Sequence, residues 1–155
     1  MAFAASKCCY SMKTAIDLHA KIISAFPGSA SLYPERKDEL EELWSALPLL
    51  DAQGVLQLLP CLMLSALDAS EMEESLNLAD QIVYYLDGYE HNRPPELRDL
   101  THKVKVFEEF SYAQIKTIRE WLKNVSVLRF TESAQSELNA ALRYWQDMEE
   151  DRKRH

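Results

Sequence analysis

Glycine is scarce in this chain: there are three among 155 residues, at Gly28, Gly54 and Gly88. Glycines so far apart exclude a glycine-rich loop that cradles phosphate, which needs several close together. They also disfavour an all-β fold, whose tight turns lean on glycine. Cysteine is equally sparse. Cys8, Cys9 and Cys61 are an odd number with two adjacent, which gives no disulfide framework. Cys8 and Cys9 with His19 fall short of the four ligands at defined spacing that a structural zinc requires, so they read as reduced thiols. Cys61, set among Leu58, Leu59, Leu62 and Leu64, reads as a small buried hydrophobe. No metal and no cofactor is expected.

Long uncharged apolar runs are also missing. The short apolar start is broken at Lys7, and the stretch 47–67 is interrupted by Pro48, Asp51, Gln53, Gly54, Gln57 and Pro60, without the basic flank of a membrane anchor. The expectation is a soluble, unexported, cytoplasmic protein.

The most informative absence is that of positive charge. Residues 38–92 contain twelve Asp and Glu and no Lys or Arg, so this segment carries −12 and the rest of the chain +4, giving the formal net charge of −8. That balance disfavours general nucleic-acid binding. A concentrated negative field can instead steer a basic protein. The candidate partner-binding residues are Asp68, Glu71, Glu73, Glu74 and Asp80, with Tyr84, Tyr85 and Tyr89 as aromatic anchors beside them. The bland alternative is that helix starts and loops simply wear their solvating charge there.

What is present is helical periodicity. With 47% hydrophobic and 27% charged residues, the chain has the make-up of one globular domain. Met12, Ile16, Leu18, Ile22, Ile23 and Phe26 recur mostly at three- and four-residue steps, predicting a helix stopped by Pro27 and Gly28. Pro34 can open a second helix carrying Leu40, Leu43, Trp44 and Leu47, with Pro48 ending it. Asp51 reads as the N-cap of a third helix through Leu67. This helix is apolar nearly all round, hence central and covered by its neighbours. Pro60 in its middle predicts a kink or a break into two.

A fourth helix carries Leu76, Ala79, Ile82, Val83 and Leu86 and ends near Gly88. A loop over 89–95 follows, and then a helix with Leu97, Leu100, Val104 and Phe107. Ser111 and Gln114 form a capping box opening a helix with Ile115, Ile118, Trp121 and Leu122. The last helix spans about 132–148, with Ala134, Leu138, Ala141, Leu142 and Trp145 on its apolar face. The fold class expected is all-α: a single domain over 1–155 of six to seven helices around a central apolar helix kinked at Pro60, with 1–10 and 149–155 frayed.

Catalytic patterns are thin. No nucleophile elbow is present, and the acidic stretch of Asp68, Glu71, Glu73 and Glu74 lacks the glycine and alternating oxygen ligands of a calcium loop. His91 and His102, with Glu90 or Glu96, are the best candidates for acid–base work. The leading reading is a non-enzymatic interaction protein, for example an immunity- or antitoxin-like binder of a basic partner. The alternatives are an enzyme using His91, His102 and nearby carboxylates, or an oligomeric structural protein.

The helical motifs resemble those of an uncharacterised bacterial family, a domain of unknown function. Trp44 and Leu47 stand in its Trp-x-x-Leu places, and Leu59 and Pro60 in its Leu-Pro place. Phe107, Phe110, Ser111, Gln114, Ile118 and Leu122 are similar to its Phe-x-x-Phe-Ser-x-x-Gln-x-x-x-Ile segment, and Ala141, Tyr144 and Trp145 to its closing Ala-x-x-Tyr-Trp. The chain departs from that pattern at Asp51, Ala52 and Gly54 and in lacking aromatics around Leu59 and Pro60. The resemblance implies a bacterial cytoplasmic protein and supplies no catalytic residues.

Overall fold

The computed structural model describes residues 16–28, 43–68, 73–90, 94, 96, 102–125 and 132–155, with the backbone alone for 73–77, 132 and 133. Among these residues every regular element is a helix, in agreement with the all-α expectation. They are α1 (16–25), a 3-10 helix (Leu43–Leu49), α2 (Ala52–Asp68), α3 (Glu73–Leu86), α4 (His102–Glu108), α5 (Tyr112–Val125) and α6 (Glu132–Arg154). α2 packs along α3, α3 along α6, and α5 along α6, while the 3-10 helix sits against α2 and α3.

α2 is the central element, and its start follows from Asp51. The Asp51 carboxylate accepts the Gly54 N–H at 2.9 Å, and its carbonyl accepts that of Val55 at 3.0 Å, which together cap the helix. Residues 59–67 are all buried, as a helix without a polar face demands. The helix is not broken at Pro60 but runs on as one element. Proline removes the bond to the Leu56 carbonyl and crowds the preceding turn, at a cost of about 3 kcal/mol. Burial of so many consecutive side chains outweighs that cost. Pro48 likewise does not end its helix but lies inside the 3-10 turn, where Leu47 is buried and Trp44 stays 38% exposed. The Pro34 helix start lies outside the described residues.

The capping box forms as its sequence spells it. The Ser111 hydroxyl accepts the Gln114 N–H at 3.2 Å, and the Gln114 side-chain oxygen accepts the Ser111 N–H at 2.9 Å. Gln114 also donates to the Ala25 carbonyl at 3.2 Å, satisfying an acceptor left open by the end of α1. Lys21 and Glu120, 2.8 Å apart, tie the same two helices at the surface.

Aromatic rings fill the junction of α3, α4 and α6. Phe107 meets Tyr85, Phe110, Tyr144 and Trp145 with centroids 4.9–5.9 Å apart. The buried indoles find partners: Trp121 donates to the Met63 carbonyl at 3.1 Å and Trp145 to the Leu86 carbonyl at 2.9 Å. The second bond also satisfies an orphan carbonyl at the end of α3.

Where the sequence predicts fraying from residue 149 onward, α6 continues to Arg154. Glu149 explains this. It is buried, hydrogen-bonded by Arg119 and reached by Lys153 at 3.2 Å, so the last turns are pinned to α5.

Candidate functional site

The structure disperses the acidic residues that the sequence groups together. Asp68 is exposed at the end of α2, on the rim of an apolar hollow lined by Ile16, His19, Ala20, Ile23 and Leu67. Glu71 lies outside the described residues, as do the side chains of Glu73 and Glu74. Asp80 is half-buried, and Tyr84, one turn further along α3, is 38% exposed. Asp87 and Glu90 are absorbed by the fold rather than offered to solvent. The Asp87 carboxylate accepts the N–H groups of Tyr89 and Glu90 at 3.1 and 2.9 Å, and Glu90 pairs with Lys103 at 3.1 Å.

Tyr85 is not an exposed anchor. It is buried edge-on against Phe107, where loss of water pushes its phenol far above the usual range. Its place on the inner face of α3 decides this. Tyr89 is half-buried and committed to α6: its hydroxyl donates to Asp147, and its ring meets Tyr144 at 5.2 Å. The histidine pair fares no better. His102 is exposed with a ring nitrogen 3.0 Å from the Leu50 carbonyl, and His91 lies outside the described residues. No metal-binding group of His, Cys, Asp and Glu occurs among the described residues. Cys61 is buried, its thiol raised by burial and donating to the Gln57 carbonyl at 3.3 Å.

What the fold does assemble is a polar cleft at the end of the aromatic junction. It has a volume of about 380 Å³ and is lined by Tyr89, Val104, Glu108, Tyr144, Asp147, Met148, Asp151 and Arg152. The turn at 87–90 builds one wall. Gly88 is required there, because a Cβ would stand 2.4 Å from the Tyr144 ring. Glu90 then takes φ 47°, a left-handed conformation that a non-glycine residue holds only when its surroundings enforce it. The Asp87 bonds and the Lys103 pair supply that enforcement.

α6 builds the opposite wall by spacing alone: Tyr144, Asp147, Met148 and Asp151 lie three and four residues apart, on one helix face. Glu108, the last residue of α4, closes the end. Burial, with help from the Asp147 carboxylate, pushes the Tyr89 phenol up to about 12, so at neutral pH it is a donor and not a base. Burial, with Glu108 and Tyr89 adding to it, also raises Tyr144. Three carboxylates, two tyrosines and one arginine in an open cleft suit the recognition of a cation. Sequence reasoning reached only Tyr89 of this set. The Asp147–Asp151 step on the helix opposite was the available signal, but the twelve acids elsewhere drew the attention.

Compared with known proteins, the chain matches one family model, that of a family of unknown function, DUF6714, over residues 10–149. The chain belongs to this family. The DUF6714 match takes in the cleft residues Tyr89, Val104, Glu108, Tyr144, Asp147 and Met148, while Asp151 and Arg152 lie just beyond its end. No curated protein and no solved structure matches the chain. No helix among the described residues is long and apolar enough to cross a membrane.

Proposed function

We propose that this DUF6714 protein is a non-enzymatic, cytoplasmic binding domain that docks a basic protein and takes one of its cationic side chains into the cleft. The observation that carries this reading is the convergence of Glu108, Asp147 and Asp151 around Tyr89 and Tyr144, from elements far apart in sequence. A cleft walled by carboxylates and low-dielectric rings focuses its field on a cation more strongly than an open surface does. The aromatic faces add an attraction of their own for positive charge. The acidic residues of 38–92 then act as the long-range field that steers the partner in, with Asp68, Asp80 and Tyr84 on its approach. An immunity- or antitoxin-like protein neutralising a basic toxin is one concrete form of this role.

The test is a titration of the protein with a short lysine- and arginine-rich peptide, followed by backbone amide shifts. Shifts are expected at residues 87–90, 104–108 and 144–152, weakening as salt rises and the Debye length falls below about 10 Å. Asp147→Asn with Asp151→Asn is expected to suppress them, and Glu71→Gln, Glu73→Gln and Glu74→Gln together to slow association. Shifts that bypass the cleft, or that survive both aspartate replacements, would overturn the proposal.

A further inference from the structure

The cleft already holds a cation of its own. Arg152, in the last turn of α6, reaches across and donates from its guanidinium to the backbone carbonyl of Glu108. Glu108 ends α4, so its carbonyl is one that the helix leaves without an internal donor, at the negative end of the helix dipole. Arg152 is exposed, and an exposed charge-assisted contact of this kind is weak and easily exchanged. The remaining cations nearby do not compete for the place. Lys103 is engaged by Glu90, and Arg143 acts on Tyr89 only through its field.

Resting on the reading above, we infer that the cleft is a guanidinium site, that its intended occupant is an arginine of the basic partner, and that Arg152 is an internal placeholder which this arginine displaces. Three features favour arginine over lysine. The planar fork can donate to the Glu108 carbonyl and to a carboxylate of Asp147 or Asp151 together, where an ammonium acts as a single point charge. The tyrosine rings offer a surface on which a guanidinium stacks. The chain's own guanidinium, seated at that carbonyl, shows that the geometry accepts this group. The placeholder has a consequence: the partner binds only the fraction of molecules in which Arg152 has swung away, so removing it strengthens binding without any new contact.

The experiment compares a short peptide carrying one arginine with its lysine counterpart, measured against wild-type protein, Arg152→Ala, Arg152→Lys and Arg154→Ala. The arginine peptide is expected to bind wild type more tightly than the lysine peptide, and Arg152→Ala is expected to tighten it about threefold further. Arg152→Lys keeps the charge and loses the fork, so part of the gain should remain. Arg154→Ala changes the net charge equally from outside the cleft and is expected to give a smaller gain. Equal gains from Arg152→Ala and Arg154→Ala would reduce the effect to net charge and overturn the placeholder. Equal binding of the two peptides would overturn the guanidinium preference while leaving a cation site. If neither peptide binds any variant, the proposed function itself is lost.

Discussion

Gly88→Ala is the sharpest probe of the cleft wall. An alanine Cβ at this position would lie 2.4, 2.4 and 2.5 Å from three carbons of the Tyr144 ring, far inside the usual carbon–carbon contact of about 3.5–4.0 Å. The ring would have to retreat by about 1 Å, and its neighbours oppose this. Tyr89, Trp145 and Phe107 hold it with centroids at 5.2, 5.6 and 5.9 Å. Overpacking of a filled site costs about 1–3 kcal/mol.

Gly88 does not have a positive φ, so an alanine fits the backbone and recovers about 0.4–1 kcal/mol by stiffening the unfolded chain. The steric term wins, leaving a net loss of about 1–2 kcal/mol. For a chain of this length the unfolding entropy is about 0.3 kcal/mol per degree, so the midpoint of thermal unfolding should fall by about 3–6 °C. Gly28→Ala is the matched control: a Cβ there meets nothing within 4 Å, and the change is expected to be neutral or slightly stabilising. Paired with Tyr144→Ala, Gly88→Ala should lose its cost, a coupling that differential scanning calorimetry can read as a double-mutant cycle. Equal midpoints for Gly88→Ala and Gly28→Ala, or strict additivity with Tyr144→Ala, would refute the reasoning.

Leu59→Ala removes a fully buried side chain from the middle of α2 and should cost about 2–5 kcal/mol, read from the urea midpoint at unchanged slope; an unaltered midpoint would deny α2 its central place. Glu149 gives stability a pH dependence. Burial acts to push its carboxyl up, but the hydrogen bonds and charges of Arg119 and Lys153 outweigh it and hold the group below its ordinary 4.5. A carboxyl depressed in the folded state stabilises above its unfolded pKa, and that contribution drains away as pH falls through the folded value. Glu149→Gln should therefore be less stable than wild type at pH 7, with the gap closing below about pH 4.5. A gap in urea midpoints that widens on acidification would contradict this.

The sequence by itself determined the elements and the centre of the fold. Three- and four-residue apolar spacing, the Asp51 cap and the Ser111–Gln114 box are local signals, carried by bonds between residues a turn apart, and the structure forms all of them. The unbroken apolar surround of α2 likewise announced a buried helix. Tertiary packing decided the rest. Pro60 sits in a continuous helix because burial on every side outweighs one missing hydrogen bond. α6 extends to Arg154 because Glu149 finds Arg119 thirty residues away in the chain. Charge counting along the chain proposed one acidic face, yet Asp87 and Glu90 turn inward to close a loop, while Glu108, Asp147 and Asp151 meet at a cleft. Which charges share a site depends on how α3, α4 and α6 pack, and packing follows from side-chain volumes that no one-dimensional count contains.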